Sequence, residues 1–114
     1  PPLRAAPEHW AAVIAGMMDV VHSRRGTAAR IGRDLSYTIA GKTGTSQVIG
    51  IAQDEVYDEE AIAERHRNHG WFVAFAPVDE PEIVVVVLAE NGGGSSAAYP
   101  VARAVMDAWF GVAD

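Results

Sequence analysis

Between Glu8 and His22 the apolar side chains fall at Trp10, Val13, Ile14, Met17, Val20 and Val21, the spacing that lines one face of an α-helix. Pro7 suits the first turn of such a helix, Arg24 and Arg25 suit the negative end of its dipole, and Gly26 offers a stop. The pattern changes at Ser36. From there to Gln47 the chain mixes Tyr, Thr and Ile with Gly41 and Gly44 and has no helical period, which predicts a strand over Ser36–Gln47. Glycine inside a strand commonly marks the close approach of a ligand or another backbone. Trp71–Ala76 and Ile83–Ala89 read as two more strands, and the turn formers of Pro77–Glu82 between them favour an antiparallel hairpin. Both runs are apolar on both faces, so a sheet covered on both sides is expected. Asn91–Gly94 breaks the chain. A last helix follows, with Val101, Ala102, Val105, Ala108 and Trp109 along one stripe, Ser95 or Ser96 as its cap and Pro100 in its first turn.

The order helix, strand, strand, strand, helix, without an internal repeat, predicts an α+β unit. It is a three-stranded antiparallel sheet segment flanked by an N-terminal and a C-terminal helix. Val48–Asn68 reads as a long connector with an acidic half and a candidate short helix around Glu59–Arg67. Connectors of that length inside small domains are usually functional or disordered.

Composition narrows the classes. With 114 residues, 49% hydrophobic and 21% charged, the chain has ample apolar surface for a core, and wholesale disorder is excluded. The longest unbroken apolar run, Ile83–Ala89, has seven residues, far short of the roughly 18 that a membrane span needs. Nine basic and fifteen acidic residues leave a formal charge of −6, which argues against a nucleic-acid platform. The charge is uneven, though. His22–Lys42 holds five fixed cations against Asp34 alone, whereas Gln53–Glu64 holds six acids and no base. A local cationic patch can therefore meet an anion despite the negative total. The absence of cysteine excludes disulfides and thiolate metal sites. Opening on Pro1-Pro2-Leu3, with no initiator Met and no signal-peptide pattern, the chain is expected to be a processed product or a segment of a longer one.

The chain has one lysine, in Ala40-Gly41-Lys42-Thr43-Gly44-Thr45-Ser46. Lysine is a compact point charge on a flexible stem, and here it stands among small residues that leave room for a ligand. The hydroxyls of Thr43 and Thr45 and the bare backbone of Gly44 complete a candidate anion-binding strip. A solvent-facing strand lysine beside conformationally useful glycines accounts for the same residues equally well. Gly41-Lys42-Thr43 matches the end of a phosphate-binding loop, but that loop needs glycine where Ser36 stands and a helix starting at the Lys-Thr. The chain continues instead through Gly44, Val48, Ile49 and Ile51, so that reading is set aside.

Lys42-Thr43-Gly44 also matches the Lys-Thr-Gly element of penicillin-binding proteins and class A β-lactamases. Three residues are a weak signal; the surroundings strengthen it. "YTIAGKTGTSQV", then "GWFVAFAPVDEPEIVVVVLAENGGG" and a closing helix, resembles the C-terminal part of a penicillin-binding transpeptidase. "MMDVVHSRRGTAARI" resembles the helix and Gly-Thr turn leading into the Lys-Thr-Gly strand. The resemblance runs from about Trp10 to Phe110. Through "AIAERHRNHGWFVAFAP" it is nearest the elongation-specific class B branch, penicillin-binding protein 2. Neither Ser-x-x-Lys nor Ser-x-Asn occurs, since the residue three before Lys42 is Ile39. The nucleophilic serine, its lysine base and the middle motif are expected upstream, and these residues alone are expected to be inactive.

The resemblance implies a role for each residue of the strip. The strand would be a sheet edge on which a D-Ala-D-Ala stem peptide or a β-lactam lies as an added strand. Lys42 would be the catalytic cation, supplying positive potential for the substrate's terminal carboxylate and assisting proton movement near the middle-motif serine. Thr43 and Thr45 would hydrogen-bond that carboxylate, and Gly44 would admit the substrate without a Cβ in its way. The Thr45 N–H would share the oxyanion hole with the absent serine. No cofactor is implied. The implied partners are the upstream part of the same domain and, in a membrane-anchored periplasmic parent at the inner membrane, a glycosyltransferase.

His66 and His69, near Asp54, Glu55, Asp58 and Glu59, suggest either a zinc site or solvated connector residues, and no metal is assigned. His9 and His22 read as surface residues. Trp71, Phe72 and Phe75 read as core rather than a ligand stack. The acidic 54–64 stretch reads as a solvated face or a partner surface. Three functions follow: an acyl-transferring transpeptidase segment, a β-lactam hydrolase or sensor domain with a different upstream part, and a non-catalytic binding or assembly module. An unpaired strand edge and apolar helix surface imply self-association, strand exchange or packing against a missing half.

Overall fold

The computed structural model describes residues 2–48 and 67–112. Helix α1 spans Pro7–His22, and three strands follow: β1 (Ala40–Ser46), β2 (His69–Ala76) and β3 (Ile83–Ala89). Helix α2 spans Tyr99–Phe110, and short 3-10 turns lie at Ala29–Gly32 and Ser95–Ala97. The α+β order expected from the sequence is the order observed. The acidic 54–64 stretch, His66 and nearly all of the connector with its candidate helix fall outside the described residues.

Pro7 occupies the first turn of α1 and Glu8 puts an acid at its positive end. The helix stops at His22, where Ser23 turns extended, so Arg24 and Arg25 lie beyond it rather than in its last turn. Gly26 is not the stop either. A Cβ there would collide with the Asp19 and Val20 carbonyls, so glycine lets the chain fold back against the helix end. The Ala28 N–H then donates to the Val20 carbonyl at 2.9 Å.

The strands form one antiparallel sheet in the order β1-β2-β3. Its register sets Gly41, Ala74 and Val85 in one row and Thr43, Phe72 and Val87 in the next but one. The alternate rows are Lys42–Val73–Val86 and Gly44–Trp71–Leu88. Side chains alternate between faces, so the first pair of rows looks one way and the second pair the other. Val21 of α1 and Tyr99, Ala102 and Met106 of α2 join Phe72, Ala74 and Val85 in the core on the first face, with Ile39 beside them. The Phe72 and Tyr99 rings meet edge to face, centroids 6.1 Å apart.

Among the described residues nothing covers most of the second face. Val84 and Val86 are 68% and 61% exposed, and Leu88, Val73 and Trp71 are exposed with them. The expectation of cover on both faces is therefore met on one face only among the described residues. Trp71 correspondingly leaves the core assigned to it, Phe75 is half-buried, and Phe72 alone of the three is fully enclosed.

The terminal helices correct two further expectations. In α2 the buried stripe is Tyr99, Ala102 and Met106, while Val101, Val105 and Trp109 are exposed; only Ala102 of the expected stripe packs inward. In α1 Val21 is buried, but Trp10 and Val13 are exposed. Neither Ser95 nor Ser96 caps α2 through its side chain. Both belong to the 3-10 turn, and Ala98 takes the cap position, its N–H on the Ser95 carbonyl at 2.8 Å. At the other end Gly111, at φ +70°, adopts the left-handed conformation that closes helices and lets the Val112 N–H reach the Asp107 carbonyl at 2.9 Å.

Candidate functional site on the β1 edge

β1 begins at Ala40 rather than Ser36 because the preceding residues commit their polar groups elsewhere. The Tyr37 hydroxyl donates to Asp107 Oδ1 at 2.6 Å, Thr38 Oγ1 accepts from the Val78 N–H at 2.9 Å, and the Ile39 N–H donates to His22 Nε2 at 3.0 Å. Arg103 completes this anchoring. Its Nη1 donates to the Ile31 and Arg33 carbonyls at 2.8 and 2.7 Å, and its Nε to both Asp107 oxygens at 3.2 and 3.1 Å. Burial, then the hydrogen bond to the Asp107 carboxylate, raises the Tyr37 pKa well above the usual tyrosine value. The run into β1 is thus tied to the ends of both helices.

The strip that follows lies at the edge of the sheet, with no strand on its outer side among the described residues. In an antiparallel edge strand alternate residues turn their N–H and C=O groups to that open side. Lys42 is exposed on the bare face, and its Nζ donates to the Thr43 carbonyl at 2.7 Å. No acidic side chain pairs with it among the described residues. Gly44 stands on the same face. Thr43 and Thr45 look the other way, toward the helices. The strip therefore presents a cation on one side, two hydroxyls on the other and unpaired backbone at the rim.

Its two glycines differ. A Cβ on Gly41 would sit 2.6 Å from Phe72 Cζ, so this glycine makes room for the core. A Cβ on Gly44 would meet nothing closer than Trp71 Cβ at 3.5 Å, an ordinary contact. Packing within the described residues does not require glycine at position 44, and a strand glycine without a packing reason commonly marks the close approach of a ligand or another backbone.

Several contacts around the strip have no legible signal in the sequence. Thr27, in the turn after α1, has its Oγ1 3.0 Å from Thr43 Oγ1. His22 is a surface residue, as its sequence position suggests, yet its Nε2 also accepts the N–H of fully buried Ile39. Trp71 Nε1 donates to Ser46 Oγ at 2.8 Å and pins the far end of the strip. His69, the one described member of the suggested zinc pair, opens β2 and has its Nδ1 engaged by the Asn91 N–H at 2.8 Å.

The model of the penicillin-binding protein transpeptidase domain matches residues 3–107. This chain belongs to that family. Among curated members it is 47% identical over 103 residues to the peptidoglycan D,D-transpeptidase MrdA of Acinetobacter baumannii, covering 90% of this chain and 15% of that protein. It is 44% identical over 99 residues to MrdA of Haemophilus influenzae, covering 86% and 15%. Among solved structures, Pseudomonas aeruginosa PBP2 in complex with WCK 5153 superposes with a TM-score of 0.74 at 42% identity, over 95% of this chain and 21% of that one. PBP2 of Helicobacter pylori, in complex with MreC, gives 0.63 at 32% identity, over 78% and 15%. The chain thus spans about 15% of the length of these curated transpeptidases. Within the family, the α+β arrangement is that of the penicillin-binding neighbours. Among the described residues no helix is long and apolar enough to cross a membrane.

Proposed function

We propose that this chain supplies the substrate-facing Lys-Thr-Gly strand of a peptidoglycan D,D-transpeptidase of the elongation type, which cross-links cell-wall peptides through an acyl-serine and is inhibited by β-lactams. One observation carries the reading: the sole lysine, without an acidic partner among the described residues, stands on an open sheet edge beside a glycine that local packing does not require. An extended peptide ending in a carboxylate suits that edge, because its backbone can add as a strand while Lys42 attracts its charge. Thr43 and Thr45, on the opposite face of the strand from Lys42, supply hydroxyl donors that reach a carboxylate only around the open edge, and the Thr45 N–H supplies one half of the oxyanion hole. Lys42 is the catalytic member in this reading, assisting proton movement at a serine contributed by the rest of the domain.

The nucleophile and its base come from residues outside these 114, which contain no Ser-x-x-Lys and no Ser-x-Asn. The same outside part covers the bare face of the sheet. The parent is anchored in the bacterial inner membrane with this domain in the periplasm, working beside a membrane glycosyltransferase that polymerises the glycan. Its ligands are the D-Ala-D-Ala stem peptide and β-lactams, with no cofactor.

Intact-mass spectrometry after exposure to a penicillin tests the assignment. The complete parent chain should gain one stable penicillin, and this chain alone should gain none. Rapid loss of the adduct would instead indicate a β-lactam hydrolase. A folded parent that gains nothing would refute the family mechanism for this strand. In the acylating parent, Lys42→Arg should slow acylation by about a hundredfold, because the planar guanidinium cannot take the place of a compact ammonium in so small a slot.

A further inference from the structure

Thr27 stands in the turn after α1, sixteen residues before Thr43, and the two hydroxyl oxygens are 3.0 Å apart. That turn is firmly built. Gly26 packs where a Cβ would strike the Asp19 and Val20 carbonyls, and the Ala28 N–H bonds the Val20 carbonyl at 2.9 Å. Thr27 is held between these two fixed points, so its hydroxyl is presented to β1 from a rigid base.

A threonine hydroxyl has a single proton to donate. In a pair of hydroxyls one donates and the other accepts. If Thr43 donates to Thr27, its proton is spent within the pair and none is left for an anion. A carboxylate can only accept, so a Thr43 that serves one must donate outward, and Thr27 must then be the donor of the pair. Donation by Thr27 also polarises the Thr43 O–H and strengthens the bond it makes next.

We propose that Thr27 is a positioning residue for Thr43: its hydroxyl donates to Thr43 Oγ1 and so turns the Thr43 proton toward a carboxylate bound at the open edge of β1. This rests on the reading of β1 as a carboxylate-binding strand.

The test uses the complete parent protein and the second-order rate of acylation by a penicillin and by its methyl ester. Thr27→Val should slow acylation by the free carboxylate about tenfold, the loss typical of one hydrogen bond, and leave the rate with the ester nearly unchanged. Thr27→Ser, which keeps the donor, should recover most of the rate. In a Thr43→Val background, Thr27→Val should have no further effect. Thr27→Ala carries the same test with less bulk, should the valine variant not fold. Equal slowing with acid and ester would overturn the proposal and leave Thr27 a structural tie. Additive slowing in the Thr43→Val background would overturn it in favour of direct contact between Thr27 and the ligand. An unchanged rate in an acylating parent would refute the positioning role alone, whereas a wild-type parent that is not acylated would refute the β1 reading and this role together.

Discussion

Gly41 and Gly44 stand three positions apart on the same strand, yet a methyl group added to each meets different surroundings. At Gly41 it would press on the fully buried ring of Phe72, which has nowhere to retreat. Gly41→Ala should therefore destabilise the fold by about 1–3 kcal/mol, as overpacked cores do. Gly44→Ala meets only an ordinary contact and should change stability by less than about 0.5 kcal/mol. Urea denaturation of the two variants separates a packing glycine from one kept for another purpose. The same Gly44→Ala change in the complete parent should slow acylation by a penicillin even though stability is preserved. That combination would tie the missing Cβ to ligand approach. At this scale the sequence was legible where a residue's chemistry was unusual for the chain. The single lysine among small neighbours is such a case. It was not legible where a residue's contact joins distant positions, as for Thr27 and Thr43 or His22 and Ile39, because no local pattern records such a pairing.

The periodicity of α1 and the turn formers between β2 and β3 specify those elements directly, since few other arrangements satisfy the same spacing. The facing of α2 was not specified in this way. Tyr99–Ala102–Met106 and Val101–Val105–Trp109 are both apolar stripes at helical spacing, and only packing decides between them. The first presents the small Ala102 to the core and places Tyr99 against Phe72. β2 and β3 pose the same problem in strand form, being apolar on both faces. β1 starts later than its composition predicts because Tyr37, Thr38 and Ile39 have strand-like composition but bond to α2, the hairpin and α1. The Tyr37–Asp107–Arg103 anchor has a testable pH signature. Folding raises the pKa of Tyr37 above the unfolded value of about 10. The native state therefore holds the phenol proton more tightly than the unfolded state, and its contribution is fully present below pH ~10 and declines above it. Denaturant titrations from pH 8 upward should show stability falling in the alkaline range. Tyr37→Phe should cost about 1 kcal/mol at neutral pH and remove that part of the alkaline loss.

Across the whole molecule, one sheet face is packed and the other is an apolar surface that includes Val84, Val86 and Leu88. Among the described residues β3 is also an edge of the sheet, and its seven residues carry neither charge nor proline to discourage pairing with another chain. In isolation the 114-residue chain should self-associate with rising concentration, and light scattering coupled to size exclusion should report masses above the monomer. Val86→Lys should lower the association. A well-behaved wild-type monomer at high concentration would show that the bare face tolerates water. The same face bears Lys42, whose cross-strand row continues into Val73 and Val86, while Gly44 shares its row with Trp71 and Leu88. The exposed apolar side chains and the Lys42–Gly44 strip are thus interleaved residue by residue. If β1 is the ligand strand proposed above, evolution under an inhibitor has little freedom here: a substitution that reshapes the neighbourhood of Lys42 to exclude a drug would also disturb the apolar rows beside it, so the tolerated routes of escape should lie in the loops around this face, not upon it.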